Sequence, residues 1–122
     1  MTHAKVPVFD GHNDTLLKLE LGERRGRPRD FLKRADHDHI DLPRAREGGF
    51  AGGLCAMFVP SHVDGELPAR FDPNDKVHFA PLAQPLALDM TLRMAARALR
   101  IERASRGTVS ICRSAGEIRA AM

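Results

Sequence analysis

Cysteine is scarce in this chain: Cys55 and Cys112 are the only two among 122 residues. Two thiols so far apart make neither a disulfide scaffold nor the paired ligands of a structural zinc site. No apolar run approaches the roughly 20 residues that a membrane span requires. Met1-Thr2-His3-Ala4-Lys5 leads straight into a strand-like run, without the apolar region of a signal peptide. An excess of one charge is missing too. Nineteen basic side chains face 16 acidic ones, and the net charge of +3 is too small to point to nucleic acid or an anionic membrane as partner. Internal repeats and low-complexity stretches are absent. These absences describe a soluble, cytoplasmic chain with reduced thiols. Length excludes one thing more: a complete (β/α)8 barrel takes about 250 residues, so this chain covers about half of one.

What is present suits a globular core, with 43% hydrophobic residues. Val6-Pro7-Val8-Phe9, bounded by Asp10-Gly11, reads as a strand buried on both faces, with Pro7 at its start. Thr15 to Leu21 reads as a short helix stopped by Gly22. Asp41-Leu42-Pro43 opens a second helix, with Asp41 as N-cap and Gly48-Gly49 as its end. Leu54 to Val59, closed by Pro60, is a second apolar run. Two such strands, separated by about 40 residues of helix and loop, predict a parallel βαβ crossover rather than a hairpin. Ser61 to Phe79 reads as a loop, and Leu86 to Arg103 as a helix stopped by Gly107. On that helix Leu88, Leu92, Ala95 and Leu99 share a face, expected to pack inward, while Asp89, Arg93, Arg97 and Arg100 share another. Val109 to Cys112 is short and extended. Ser114-Ala115-Gly116-Glu117 has the form of a capping box, opening a last helix.

The segment with chemical content is Val8-Phe9-Asp10-Gly11-His12-Asn13-Asp14. Side chains two apart on an extended chain point the same way, so His12 and Asp14 project together with Asn13 opposed. They do so at the carboxyl end of a strand, where parallel α/β folds place their sites. An imidazole and a carboxylate are a fitting pair of zinc ligands, and Gly11 removes bulk beside them. The competing reading is structural: Asp14 caps the following helix and His12 sits in a polar turn.

Asp10-Gly11-His12-Asn13-Asp14 resembles the first metal motif of the membrane (renal-type) dipeptidases, the M19 metallopeptidases. His39-Ile40-Asp41-Leu42-Pro43-Arg44-Ala45-Arg46-Glu47-Gly48-Gly49 resembles a second block of that family. Phe50 to Pro60 is similar to its glycine-rich second strand, and Ser114 to Ile118 to the helix before its third strand. The resemblance implies an α/β fold, the amino-terminal part of a (β/α)8 TIM-type barrel of the amidohydrolase kind, with residues 1–122 a fragment of that single domain. It implies a zinc-dependent dipeptidase with two ions in the complete enzyme and dipeptides as substrate. His12 and Asp14 would bind one ion, and the remaining ligands would come from later strands. The fragment alone is expected to be inactive, and an inactive truncated remnant is the alternative. No catalytic or substrate-binding residue is assigned. The oligomeric state, a homodimer included, stays open. Thr15-Leu16-Leu17 departs from relatives that carry a proline and an aromatic residue there, which bears on substrate preference.

Four other features are weighed against plainer roles. His37-Asp38-His39 has a His-x-His spacing but lies in a charged stretch rather than at a strand end. Arg25-Gly26-Arg27-Pro28-Arg29 matches the core of a minor-groove arginine arm, an alternative DNA-binding function, but reads more simply as a solvated loop. Cys55, within an apolar run, is expected to be a buried, inert thiol. His62 and His78 flank the loop after the second strand.

Overall fold

The chain is described by a computed structural model, which covers residues 6–61, 74 and 80–122. Pro7 has no amide hydrogen to give a ladder, and the first strand, β1, begins just after it, at Val8–Asn13. Helix α1 (Thr15–Arg24) follows, then α2 (Leu42–Glu47), strand β2 (Phe50–Cys55), the long helix α3 (Gln84–Ala104) and α4 (Ala115–Ala121). The two strands pair in parallel, as the crossover pattern predicts, with Phe9 opposite Gly52 and Asp10 opposite Gly53. The close approach explains the paired glycines, which lie inside β2 rather than before it. A Cβ on Gly52 would stand 3.0 Å from the Phe9 ring, and one on Gly53 2.8 Å from that of Phe50.

The core lies between α1 and α3. Leu16, Leu17 and Leu21 of α1 pack with Met90 and Met94 of α3, and Leu86, Ala98 and Val59 close the cluster. Burying each such side chain contributes on the order of 1.5–3 kcal/mol. Ion pairs flank this contact. Glu20 is buried and accepts from Arg97 Nη2 at 2.9 Å, and Arg24 Nη2 reaches Asp89 at 3.1 Å. A carboxylate inside a helix contact persists only when so paired.

Several expectations are corrected here. The strands are not buried on both faces: Val8, Phe9 and Leu54 are exposed, because two strands leave each other's outer edges and much of both faces uncovered. β1 runs on to Asn13, past Asp10-Gly11, and β2 starts at Phe50 and ends at Cys55. Gly22 does not stop α1. It lies within the helix, where any Cβ would meet the Arg27 carbonyl oxygen at 2.8 Å, and Gly26 makes the turn at φ +67°. The packed face of α3 is Leu86-Met90-Met94-Ala98, while Leu88, Leu92 and Leu99 are exposed and Ala95 is half-buried. The helix carries two apolar stripes, and the flexible methionines fit between the leucines of α1.

The N-cap of α2 holds as expected. Asp41 has no exposed surface, and its Oδ1 accepts from the Arg44 amide at 2.9 Å. Its Oδ2 accepts from the Ala35 amide at 3.0 Å and Arg44 Nε at 2.6 Å. The Arg44 guanidinium then donates to the carbonyls of His37 and Asp38, tying the 35–41 segment to the helix. At the far end, Ser114 Oγ accepts from the Glu117 amide at 3.2 Å. Glu117 returns to the Arg113 amide, one residue earlier than a reciprocal capping box requires. The segment 109–112 has no sheet partner among the described residues, and the Ile111 amide donates to Glu102 of α3.

Candidate metal centre

The turn from β1 into α1 is built by two polar side chains that the sequence reading did not single out. Asp10 and Asn13 of β1 are three positions apart, while their partners Gly53 and Cys55 are only two apart. The mismatch is a bulge, a device that re-aims side chains at a strand end. Asp10 holds it, accepting from Asn13 Nδ2 at 2.9 Å and from the His12 amide at 3.4 Å. Asn13 is buried, its Oδ1 accepts from the Thr15 amide at 3.2 Å, and its carbonyl accepts from the Ala56 amide at 2.9 Å. An Asn side chain bonded to the amide two residues on is the signature of an Asx turn, and it was the available clue.

Asn13 thereby serves the first turn of α1, and Asp14 does not. Asp14 occupies the N-cap position but makes no side-chain bond to the helix, so the capping role weighed for it is excluded. Its Oδ1 is buried without a hydrogen-bond partner and lies 3.5 Å from His12 Nε2. The imidazole is mostly exposed, at 68%. The expected juxtaposition of His12 and Asp14 is therefore present. A carboxylate oxygen and a ring nitrogen, set side by side with no other hydrogen-bond partner among the described residues, fit a divalent cation. Among the described residues no group of three or more His, Cys, Asp or Glu side chains that could hold a metal ion gathers, here or elsewhere. Gly11 does not clear space for it, since a Cβ there would meet nothing within 4 Å.

The other weighed residues lie elsewhere. His37 Nδ1 contacts the Asp36 carboxylate at 2.6 Å, and Asp38 between the two histidines turns to Arg29, at 2.9 Å. Arg25 and Arg27 are exposed, but Arg29 is drawn inward by that ion pair and so is not free to act as an arm. Cys55 is exposed at the end of β2, contrary to the expected burial. His62 and His78 lie outside the described residues.

Comparison with known proteins places the chain in a class. Two solved metallopeptidase chains share the architecture over 97% of this chain. One is a metallo peptidase from Rhodobacter sphaeroides liganded with a phosphinate mimic of the dipeptide L-Ala-D-Ala, at 36% identity and a TM-score of 0.72. The other is the dipeptidase AC, of family M19, at 39% identity and a TM-score of 0.73. A protein of Acinetobacter calcoaceticus described as uncharacterized, in the PQQ-III 3' region, is 42% identical over 57 residues, which are 47% of this chain and 18% of that protein. The family model of the membrane dipeptidases, peptidase family M19, matches residues 1–122, and the chain belongs to that family. It spans about a third of the solved relatives, 35% and 34% of their lengths. No helix among the described residues is long and apolar enough to cross a membrane.

Proposed function

We propose that this chain supplies the first metal-ligand motif of a zinc-dependent dipeptidase. Residues 1–122 are read as the amino-terminal part of one (β/α)8 barrel domain, with β1 and β2 its first two strands. The observation that carries this reading is the buried, unpartnered Asp14 Oδ1 beside His12 Nε2. Those two atoms would hold one of two ions. Metal bound there supplies Lewis-acid chemistry, polarising a peptide carbonyl and making a water nucleophilic near neutral pH. The chain's own contribution is positional. Asp10 and Asn13 fix the bulge from which both ligands project, so neither has to be ordered when a cation arrives. A dipeptide substrate, with a D-residue tolerated at its carboxyl side, accords with the dipeptide mimic bound by the Rhodobacter relative.

Two ligands leave a zinc ion two short of its usual four. The 122-residue chain is accordingly expected to bind zinc weakly and to hydrolyse no dipeptide. A chain extended through the later strands should bind zinc tightly and hydrolyse dipeptides. Metal analysis alongside L-Ala-D-Ala hydrolysis on the two chains tests this, and His12→Ala or Asp14→Ala in the extended chain should abolish hydrolysis. Full activity of either variant would refute the assignment.

A further inference from the structure

Among the described residues, three helices begin behind a polar N-cap side chain, and one of the three caps differs in its backbone. Asp41 (φ −139°, ψ 165°) and Ser114 (φ −146°, ψ 157°) are extended, and each side chain accepts from an amide of the helix it precedes. From that conformation an N-cap oxygen reaches the second or third helical amide. Asp14 is turned instead, at φ −102° and ψ 30°, and its carboxylate makes no such bond. The cause lies one residue earlier. The Thr15 amide donates to Asn13 Oδ1 at 3.2 Å, closing a ring that contains both backbone dihedrals of Asp14. Asn13 is itself clamped. It is buried, its Nδ2 donates to Asp10 at 2.9 Å, and its carbonyl accepts from the Ala56 amide at 2.9 Å. Strand β2 approaches the same side chain through Gly53, where a Cβ would stand 3.3 Å from Asn13 Nδ2 and 3.1 Å from Asp10 Cβ.

We propose that Asn13 is a positioning residue: its turn holds Asp14 out of the capping conformation and so keeps that carboxylate beside His12. Without the Asn13 oxygen, Asp14 relaxes to the extended backbone of Asp41 and lays its carboxylate on the first turn of α1, as Asp41 does on α2. That the carboxylate kept from capping serves a metal rests on the dipeptidase reading. The switch between the two conformations does not.

A double-substitution cycle in urea unfolding of the 122-residue chain, with EDTA present, tests the switch. Asp14→Ala alone should change the folding equilibrium constant by less than about twofold. In an Asn13→Ala background the same change should lower it about fivefold, the ordinary worth of an N-cap side chain. Additive effects overturn the proposal. Zinc affinity of the extended chain, read by competition with a chromophoric chelator, tests the consequence. Asn13→Ala should weaken it by about 10–100-fold. Asn13→Ser, which again offers the Thr15 amide an oxygen but lacks the Asp10 bond, should recover most of that loss. Zinc binding equal to the parent's in Asn13→Ala, or in Asp10→Ala where the Asn13 variants do not fold, overturns the proposal, as does a serine variant as weak as the alanine one. If His12→Ala and Asp14→Ala bind zinc as the parent does, the metal reading fails, and the unfolding cycle alone decides the role of Asn13.

Discussion

Asp14 and Asp41 hold the same formal position, the residue before the first turn of a helix, and do opposite things with it. Every hydrogen bond recorded for the Asp41 carboxylate joins it to structure: two backbone amides and one guanidinium converge on it, and no part of it reaches solvent. Asp14 has its capping duty performed by the neighbouring Asn13, and one of its oxygens is left buried and unpartnered beside an imidazole. The same residue type thus consolidates a loop in one place and keeps an oxygen without a hydrogen-bond partner in the other. The difference lies in which neighbours satisfy the helix amides. A carboxylate is available for chemistry when something else does the capping.

The largest effect expected from this contrast follows Asp41→Ala. That change leaves two part-buried amides and the Arg44 Nε without this acceptor, and should lower stability by roughly 2–4 kcal/mol in urea unfolding. A loss no greater than that of an ordinary surface substitution would break the comparison. Acid should remove part of the same contribution. Burial works to raise the Asp41 carboxyl, but the Ala35 and Arg44 amides and the Arg44 guanidinium outweigh it and hold the group below its ordinary value of 3.8. A carboxyl depressed by folding contributes stability that is complete above its unfolded pKa and is lost as pH falls through the folded one. The stability gap between the parent chain and Asp41→Asn should therefore be constant near neutrality and narrow below about pH 4. A gap that widens in acid would contradict the sign. The smallest effect on stability belongs to Asp14→Ala, within about 0.5 kcal/mol of the parent, together with loss of metal from the extended chain. If Asp14→Ala destabilises as strongly as Asp41→Ala, Asp14 is a structural cap after all.

The readings that held rest on local rules. Pro7 before β1, Asp41 before Pro43, Ser114 before Glu117 and the spacing of His12 and Asp14 each constrain only a few neighbouring residues, and the structure keeps all of them. The readings that failed needed knowledge of a distant surface. α3 bears two apolar stripes, and nothing within its 21 residues says that Met90 and Met94, rather than Leu88 and Leu92, meet α1. The Asp10–Asn13 bulge depends on the length of β2 opposite it, and the inward turn of Arg29 depends on Asp38, which takes the left-handed backbone at φ +58° to meet it.

Order along the chain, caps, turns and the pairing of an imidazole with a carboxylate were already written in the run of residues, because backbone sterics and side-chain alternation act over two to four positions. Which side of a helix is covered, which carboxylate oxygen stays unpartnered and which arginine turns inward emerged once segments far apart in the chain came together. Those outcomes turn on competition for buried hydrogen-bond partners, and that competition exists only in the folded chain.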